Sequence, residues 1–220
     1  MSQMLALLAL ATPTVGTGHE GCVDVRLSGH RCEYDGKLSL TTVNASHFRV
    51  YARANMQKHG GRHVVTAFCA NRGGGEVAPH HACGPFSLIQ IEGYALRGRN
   101  NIYFMCVEFI DGRFVGYAPV VEAGEEDGDS EAYIGLSTSA DGVSWRPWTR
   151  VLKSERDVDL GAKKFRYRSL DQPVCGLLRR DGRTTLYVQR EVAGIYSPSQ
   201  DCCNKPTTRL EAIDVSRWVA

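Results

Sequence analysis

Four acidic residues lie at the ends of predicted β-strands, where a carboxyl group could take part in proton transfer or nucleophilic attack. Asp171 directly precedes the Gln-Pro pair that opens a strand, and Glu108 directly follows the apolar run IYFMCV. Asp35 lies in the stretch CEYDGKLSL, and Glu191 follows TLYVQR, next to Arg190. Each carboxylate also has an interpretation without chemistry. Asp35 is equally typical of a turn, and Glu108 or Glu191 of an ion-paired strand end.

The histidine and cysteine residues invite a metal interpretation that their arrangement does not favour. His80 and His81 are adjacent, so both imidazoles cannot easily face one ion, and no CxxC pair supports them. A polar loop closed by a disulfide between Cys69 and Cys83 is predicted instead. The sequence implies no metal and no cofactor.

Cysteine usage and the N-terminal sequence bear on location. The chain has eight cysteines, which permit 105 pairings, and the sequence cannot choose among them. Cys106 and Cys175 lie in apolar strand patterns and are predicted to be buried thiols. Residues 4–15 are apolar like the core of a signal peptide, without a basic residue before them, and are equally typical of a first strand. Together with the N-glycosylation sequon at residues 44–46, these features only slightly favour the secretory pathway.

Composition bounds the class of protein. A chain of 220 residues is long enough for one domain with a sizeable core. The net charge of +2 points to no nucleic-acid or membrane-surface partner. No apolar run reaches the roughly 18 residues that a membrane span needs. The 23 glycines and the recurring hairpin signals favour an all-β domain.

Three units of similar pattern organise the chain. They cover residues 48–94, 102–151 and 171–192, and each consists of short alternating runs joined by glycine-containing turns. Two of the predicted turns are Asp111-Gly112 in the second unit and Asp181-Gly182 in the third. Units of this kind are typical of β-propeller blades, which are antiparallel meanders. The predicted architecture is therefore a partial β-propeller domain at 35–220, after an N-terminal segment at 1–34. Since about 4–8 blades close a ring, we expect an incomplete ring or further blades that are missing from this chain.

The stretch STSADGVSW carries the clearest turn signal. Tyr133–Ser139 and Val143–Val151 both alternate like half-buried strands, with Asp141 and Gly142 between them. We therefore predict a tight hairpin turn, followed by Trp145 packed between neighbouring sheets.

The phrase SADGVSW resembles the Asp-box turn of sialidases and the DGxxW hairpins of other glycoside hydrolase propellers. The strict Asp-box keeps one residue between Asp and Gly, whereas Asp141 directly precedes Gly142. The shorter form is more similar to the five-bladed propellers of arabinanases, invertases and levansucrases. The stretch DQPVCGLLRRDGRTTLYV adds to this resemblance, which covers roughly residues 35–200 at the level of the fold.

The resemblance implies glycoside chemistry on the inner strands of the blades. There, one carboxylic acid protonates the leaving oxygen and a second carboxylate acts as nucleophile or activates water. Its candidates in this chain are the four acidic residues named above: Asp171, Glu108, Glu191 and Asp35. Arg53 in YARAN and Arg168 in FRYRSLD could bind a sugar carboxylate, although ion pairs between elements are the more frequent fate of such arginines.

Two functions stay open at this point. The first is a glycoside hydrolase-like propeller that binds, and if active cleaves, a glycan or oligosaccharide. The second is a non-catalytic propeller, or a fragment of one, that serves as a scaffold for glycan or protein binding. Asp171 with its nearby arginines favours the first, and the lack of a WxND first-blade motif favours the second.

Overall fold

The computed structural model describes residues 38–56, 61–70, 83–95, 100–122, 131–154, 169–193 and 209–220. Within these residues lie fourteen β-strands and one short helix, α1 (Ser216–Val219). The predicted all-β class with antiparallel sheets is confirmed. No helix in this part of the chain has the length and hydropathy to cross a membrane.

Three antiparallel sheets contain most of the strands. Sheet 1 has the order β1 (Ser39–Asn44), β2 (His47–Met56), β3 (Gly61–Ala70) and β4 (Ser87–Leu88). Sheet 2 is centred on β8 (Arg113–Glu122), which pairs with β6 (Asn101–Ile102) and β7 (Cys106–Ile110) on one side, and with β9 (Glu131–Ser139) and then β11 (Thr149–Lys153) on the other. Sheet 3 has the order β12 (Ser169–Arg180), β13 (Arg183–Ala193) and β14 (Arg209–Asp214).

Sheet 2 lies between the other two sheets and is covered on both faces. Strand β8 is buried continuously from Phe114 to Val120. Its alternate side chains enter two different cores, because successive residues of a strand point to opposite faces. Phe114 and Ala118 pack in the core shared with sheet 1, while Val115 and Tyr117 pack in the core shared with sheet 3. This arrangement stacks the three sheets face to face.

Strands β1, β7 and β12, one from each sheet, adjoin one another. The hydroxyl of Thr41 in β1 donates to the carbonyl of Val107 in β7 at 2.7 Å. Across the other side of β7, Cys106 contacts Cys175 and Glu108 contacts Leu177, so β7 and β12 advance in the same direction.

Two Asp-Gly pairs form the short hairpin turns expected of them. Asp111-Gly112 joins β7 to β8, and Asp181-Gly182 joins β12 to β13. In both pairs Asp and Gly have positive φ, at 50° and 82° in the first and 51° and 74° in the second. Two consecutive residues with positive φ define the type I′ turn, whose twist matches that of a hairpin.

Another Asp-Gly pair of the described residues, Asp141-Gly142, differs from the predicted tight hairpin. Only Gly142 has positive φ, and β9 pairs with β11 rather than with the residues just after the turn. Those residues form β10 (Ser144–Trp145), which pairs in parallel with β5 (Gln90–Ile91). The chain departs from sheet 2 at this point because Trp145 packs into the core that sheet 2 shares with sheet 1. This two-residue ladder is a departure from the purely antiparallel meanders expected.

Among the described residues, two disulfides link parts of the fold. Cys69–Cys83 is present as predicted and closes a loop of 14 residues in sheet 1. The prediction that Cys106 and Cys175 are buried thiols is wrong, because they form a disulfide across 69 residues. Their strands β7 and β12 adjoin only once sheets 2 and 3 are packed. By restricting the unfolded chain, the disulfide that closes the shorter loop should stabilise the fold by about 3 kcal/mol, and the one that closes the longer loop by about 4 kcal/mol.

Candidate functional site

Asp171 belongs to a buried ionic cluster that spans the three strands of sheet 3. Its Oδ1 accepts a hydrogen bond from Nε of Arg190 in β13 at 3.0 Å. A second nitrogen of the same guanidinium, Nη1, donates to Oε2 of Glu211 in β14 at 2.7 Å. The side chains of Asp171 and Arg190 are 3% and 8% exposed, whereas Glu211 is 40% exposed. One buried cation thus holds one buried and one accessible carboxylate.

The charges of this cluster depend on one another. Burial alone lowers the pKa of Arg190, but the adjacent Asp171 and Glu211 carboxylates outweigh burial and the pKa is raised. A buried charge is tolerated only when its partners replace the water that it loses. The cluster is therefore a fixed arrangement of charge at the start of β12, with Glu211 facing solvent.

Glu108 is occupied by contacts that join sheets 2 and 3. Its Oε1 accepts hydrogen bonds from the hydroxyl of Tyr117 at 2.8 Å and from the backbone N–H of Leu177 at 2.6 Å. The Tyr117 hydroxyl in turn accepts from the N–H of Gly176 at 2.6 Å. Burial and the Glu108 charge both raise the pKa of Tyr117. These bonds hold the bulged middle of β12, where Gly176 has a φ of 117°.

The structure places Glu108 and Asp171 at different levels of sheet 3. Glu108 is hydrogen-bonded to Leu177 of β12, which is paired with Leu186 of β13. Asp171 is hydrogen-bonded to Arg190, further along β13. Leu186 and Arg190 are four positions apart along β13, which is roughly 13 Å of strand. The two carboxylates are thus held by separate sets of partners, and the carboxylate that shares a partner with Asp171 is Glu211.

The remaining predicted carboxylates and Arg168 cannot be placed in the same way. Asp35 and Arg168 lie outside the described residues. Glu191 lies in β13, outside the part of that strand whose side chains are described.

Arg53 lies against Tyr103, the residue that follows β6. Arg53 is 5% exposed, and its Nη1 donates to the Tyr103 carbonyl at 3.3 Å. Its guanidinium carbon lies 4.7 Å from the centroid of the Tyr103 ring, and that of Arg62 lies 5.3 Å from the same centroid. Tyr103 also packs against the core between sheets 2 and 3. The ring therefore connects two arginines of sheet 1 to the interior of the other two sheets.

Tyr103 and Asp171 lie toward the same end of the adjoining strands β7 and β12. Cys106 of β7 is bonded to Cys175 of β12, and the two strands advance in the same direction. Tyr103 comes three residues before Cys106, and Asp171 comes four residues before Cys175. We call the two groups at this end, the Asp171–Arg190–Glu211 cluster and the Arg53–Arg62–Tyr103 cluster, the entry site.

Sequence reasoning missed three members of the entry site: Glu211, Arg62 and Tyr103. Glu211 lies two residues after Arg209, and only the pairing of β14 with β13 brings it to Arg190. Arg62 could have been noticed from the alternation of β3, because it lies two residues before the apolar Val64 on the same face. Nothing in the sequence around Tyr103 distinguishes it from the other aromatic residues of the predicted strands.

The Asp141 turn is organised by its own backbone. Oδ1 of Asp141 accepts hydrogen bonds from the N–H groups of Val143 and Ser144, each at 2.7 Å. Partial burial opposes ionisation, but these amide donors lower the pKa of Asp141 to about 2. The carbonyl of Gly142 accepts from the hydroxyl of Tyr51 in sheet 1 at 3.2 Å. The contacts of this turn fix the path of the chain into the core.

His63 of β3 is a buried, neutral imidazole. It is 2% exposed, it bonds the backbone of Ile89, and its Nδ1 has no hydrogen-bond partner among the described residues. Burial lowers the pKa of His63 from 6.5 to about 4. With Cys69 and Cys83 in a disulfide, no group of three potential metal ligands occurs in the described part of the chain.

Acid should destabilise the protein through His63. The unfolded chain takes up a proton near pH 6.5 and the folded chain only near pH 4, so stability falls as the pH drops through this window. The difference between the two pKa values corresponds to about 3 kcal/mol by pH 4. Denaturant melts at several pH values should show a shallower loss for His63→Gln than for the wild type. Equal pH dependence in the two proteins would contradict the assignment.

Comparison with known proteins finds a likeness to solved structures. No protein-family model matches the chain, and no curated protein matches it. The chain is similar to the crystal structure of an N-acetylgalactosamine deacetylase from F. plautii in complex with blood group B trisaccharide, with a TM-score of 0.42 and 18% sequence identity. The match covers 73% of this chain and 41% of that chain, so this chain spans less than half the length of that structure.

Proposed function

We propose that this chain binds a carbohydrate at the entry site, as part of a β-propeller of the glycoside hydrolase type. The observation that carries the proposal is the buried Asp171 carboxylate, fixed by Arg190 on the first strand of sheet 3. In the propellers that SADGVSW and DQPVCGLLRR resemble, the inner strands carry the carboxylates that engage the sugar. Fixed charged groups beside a partly buried aromatic ring are the usual components of a sugar site.

Binding without hydrolysis is the form of this function that the contacts favour. Hydrolysis needs two carboxyl groups about 5–5.5 Å apart for retention, or about 6.5–9.5 Å apart for inversion. Glu108 is held by Tyr117 and Leu177, and Glu211 shares the guanidinium that binds Asp171. The accessible Glu211 carboxylate, ion-paired in this way, accepts hydrogen bonds from sugar hydroxyls more readily than it donates a proton. Hydrolysis by paired carboxylates is the alternative that an assay must decide.

We also propose that further blades complete the ring around this site. The described residues form three antiparallel sheets of three or more strands, fewer than the 4–8 that close a propeller. Leu178 and Leu210 on sheet 3 are 51% and 63% exposed, as expected of a face on which a further sheet packs.

The test of carbohydrate binding uses one variant and one matched control on the same sheet. Asp171→Asn should weaken binding of any glycan found on a glycan array by about tenfold or more, measured by calorimetry at a temperature where the variant is folded. Asp181→Asn makes the same chemical change at a turn residue whose side chain is 85% exposed, and should leave binding unchanged.

Two results would overturn the proposal. One is a wild-type protein that binds no glycan. The other is a folded Asp171→Asn variant that binds as tightly as the wild type. Release of reducing sugar from the bound glycan would establish hydrolysis, and intact glycan after prolonged incubation would establish binding alone.

A further inference from the structure

The turn between β1 and β2 presents the sequence Asn44-Ala45-Ser46 at the surface. Strand β1 ends at Asn44 and β2 begins at His47, so these residues join the two strands of a hairpin. All three are exposed. Asn-x-Ser and Asn-x-Thr are the acceptor sequences for N-linked glycans, and this triplet is the only one of that kind in the 220 residues. Because a modifying enzyme can reach an exposed turn, the triplet meets the spatial condition as well as the sequence condition.

The Asn44 side chain is oriented by its own turn. Its Oδ1 accepts a hydrogen bond from the backbone N–H of Ser46 at 2.9 Å and lies 3.3 Å from Nδ1 of His47. Bonding of an asparagine oxygen to the backbone two residues on is typical of turns. These contacts engage the oxygen of the amide, whereas a glycan is attached at its nitrogen. The amide group is thus fixed through the atom that does not take the sugar.

An exposed aromatic surface lies beside this turn. The His47 ring stacks on that of Phe68 in β3, with a centroid distance of 4.9 Å and an angle of 14° between the two planes. Phe68 is 43% exposed, which leaves much of its apolar surface in water. Arg49 borders the same ring, with its guanidinium carbon 5.2 Å from the centroid. Removing apolar surface from water is favourable, so a sugar attached at Asn44 would be stabilised by packing over the His47–Phe68 pair.

The disulfides agree with the compartment in which such glycans are attached. Cys69–Cys83 and Cys106–Cys175 are both formed among the described residues. Disulfides form and persist in the secretory pathway and outside the cell, and they are rare in the cytosol. N-linked glycans are attached to chains that enter this same pathway. The disulfides and the exposed turn therefore point independently to the same route.

We infer that Asn44 is an N-glycosylation site and that the first sugars of its glycan cover the His47–Phe68 surface. The co-reactant is an oligosaccharide joined through a diphosphate to a lipid, and the transferase of the secretory pathway supplies it. The amide nitrogen of Asn44 forms a bond to carbon 1 of the first sugar, and the bond from that carbon to the diphosphate oxygen breaks. The amide gives up one proton as the lipid diphosphate leaves. The hydroxyl of Ser46 completes the acceptor sequence that the transferase recognises.

The test follows the full chain through a secretory pathway. The 220 residues, preceded by a cleavable secretory leader, are produced in cultured eukaryotic cells, and protein from medium and lysate is analysed by mass spectrometry. We expect one glycan per chain, which peptide N-glycosidase removes. That enzyme converts the glycosylated asparagine to aspartate, so the treated peptide that contains residue 44 should show the corresponding change in mass.

Three substitutions at the turn locate the modification. Asn44→Gln lengthens the acceptor side chain by one methylene, and Ser46→Ala keeps the asparagine but removes the hydroxyl, so both should abolish the glycan. Ser46→Thr is the matched control, because it changes the same residue but keeps a hydroxyl, and it should retain the glycan. Both positions are exposed, so we expect each variant to fold, as circular dichroism would verify.

Thermal melts test the covering of the aromatic surface. Removing the glycan from the folded wild-type protein should lower its Tm by about 2 °C or more, because the Phe68 ring returns to water. Phe68→Ser is treated with the same enzyme and undergoes the same conversion of Asn44 to aspartate. Its Tm should shift by less than half as much, since it has no ring at this position to expose.

The outcomes separate the site from the packing of its glycan. A wild-type chain without a glycan in both medium and lysate, or a glycan that persists in Asn44→Gln or Ser46→Ala, overturns the site. Equal Tm shifts in the wild type and Phe68→Ser overturn the covering of the aromatic surface and leave the site standing. Neither result bears on carbohydrate binding at the entry site, because Asn44 and Phe68 are not part of it.

Discussion

Replacing Trp145 with alanine should lower the free energy of unfolding by about 3–5 kcal/mol, the usual effect of emptying a buried aromatic position. The indole is 3% exposed and lies in the core between sheets 1 and 2. Gly116 of β8 lies directly beneath it, because a Cβ at that position would be 2.7 Å from Cζ3 of Trp145. Tyr51 packs edge-on at a centroid distance of 6.0 Å. No small movement of these neighbours refills the space.

The matched control for this prediction is Trp145→Phe. The indole Nε1 of Trp145 has no hydrogen-bond partner among the described residues, so phenylalanine loses volume but no hydrogen bond. We expect a loss of less than half that of the alanine variant, measured by urea or guanidinium melts under identical conditions. A loss below roughly 1 kcal/mol for Trp145→Ala would show that the indole is not a core residue.

Asp171→Asn should cost about 3 kcal/mol of stability, at the lower end of the range for unpairing a buried charge. Arg190 is 8% exposed and loses the Asp171 carboxylate, but it keeps its bond to Glu211 at 2.7 Å. Denaturant melts provide the measurement. Asp181→Asn is the control, since an exposed ion pair such as Arg180–Asp181 contributes within about 0.5 kcal/mol.

A double-mutant cycle tests the cause of this loss. If the cost comes from unpaired charge, Asp171→Asn combined with Arg190→Gln should lose less than the sum of the two single variants, with a coupling energy of at least about 1 kcal/mol. Additive losses would contradict the ion pair as the source of stability.

Local structure was largely predictable from the sequence. The Asp111-Gly112 and Asp181-Gly182 turns follow from two residues that tolerate positive φ between alternating runs, and both occur. Asp141-Gly142 is the same dipeptide but forms a different turn. The reason is that the Asp141 carboxylate accepts hydrogen bonds from the backbone N–H groups of Val143 and Ser144. A dipeptide signal does not show where the side chain of its aspartate will bond.

The pairing of particular residues from different sheets was not predictable in this way. Cys106 meets Cys175 and Glu108 meets Leu177 across 69 residues, and nothing in either strand pattern marks its partner. The sequence therefore assigned Cys106 to a buried thiol and left Glu108 open as a catalytic candidate. The ion pair of Asp171 with Arg190 was not predictable either, because the alternation of β13 alone does not indicate that the Arg190 side chain points into the core.

The Cys106–Cys175 disulfide should hold the protein together after proteolytic cleavage between the two cysteines. Every peptide bond between these two cysteines lies inside one covalent ring, which contains β8, β9 and β11 of sheet 2. A single proteolytic cut in that ring opens it without separating the two pieces. On a gel such a nicked molecule would keep its full mass until a reductant releases the fragments. Comparing digests with and without reductant would thus reveal cleavage that an ordinary mass or size measurement overlooks.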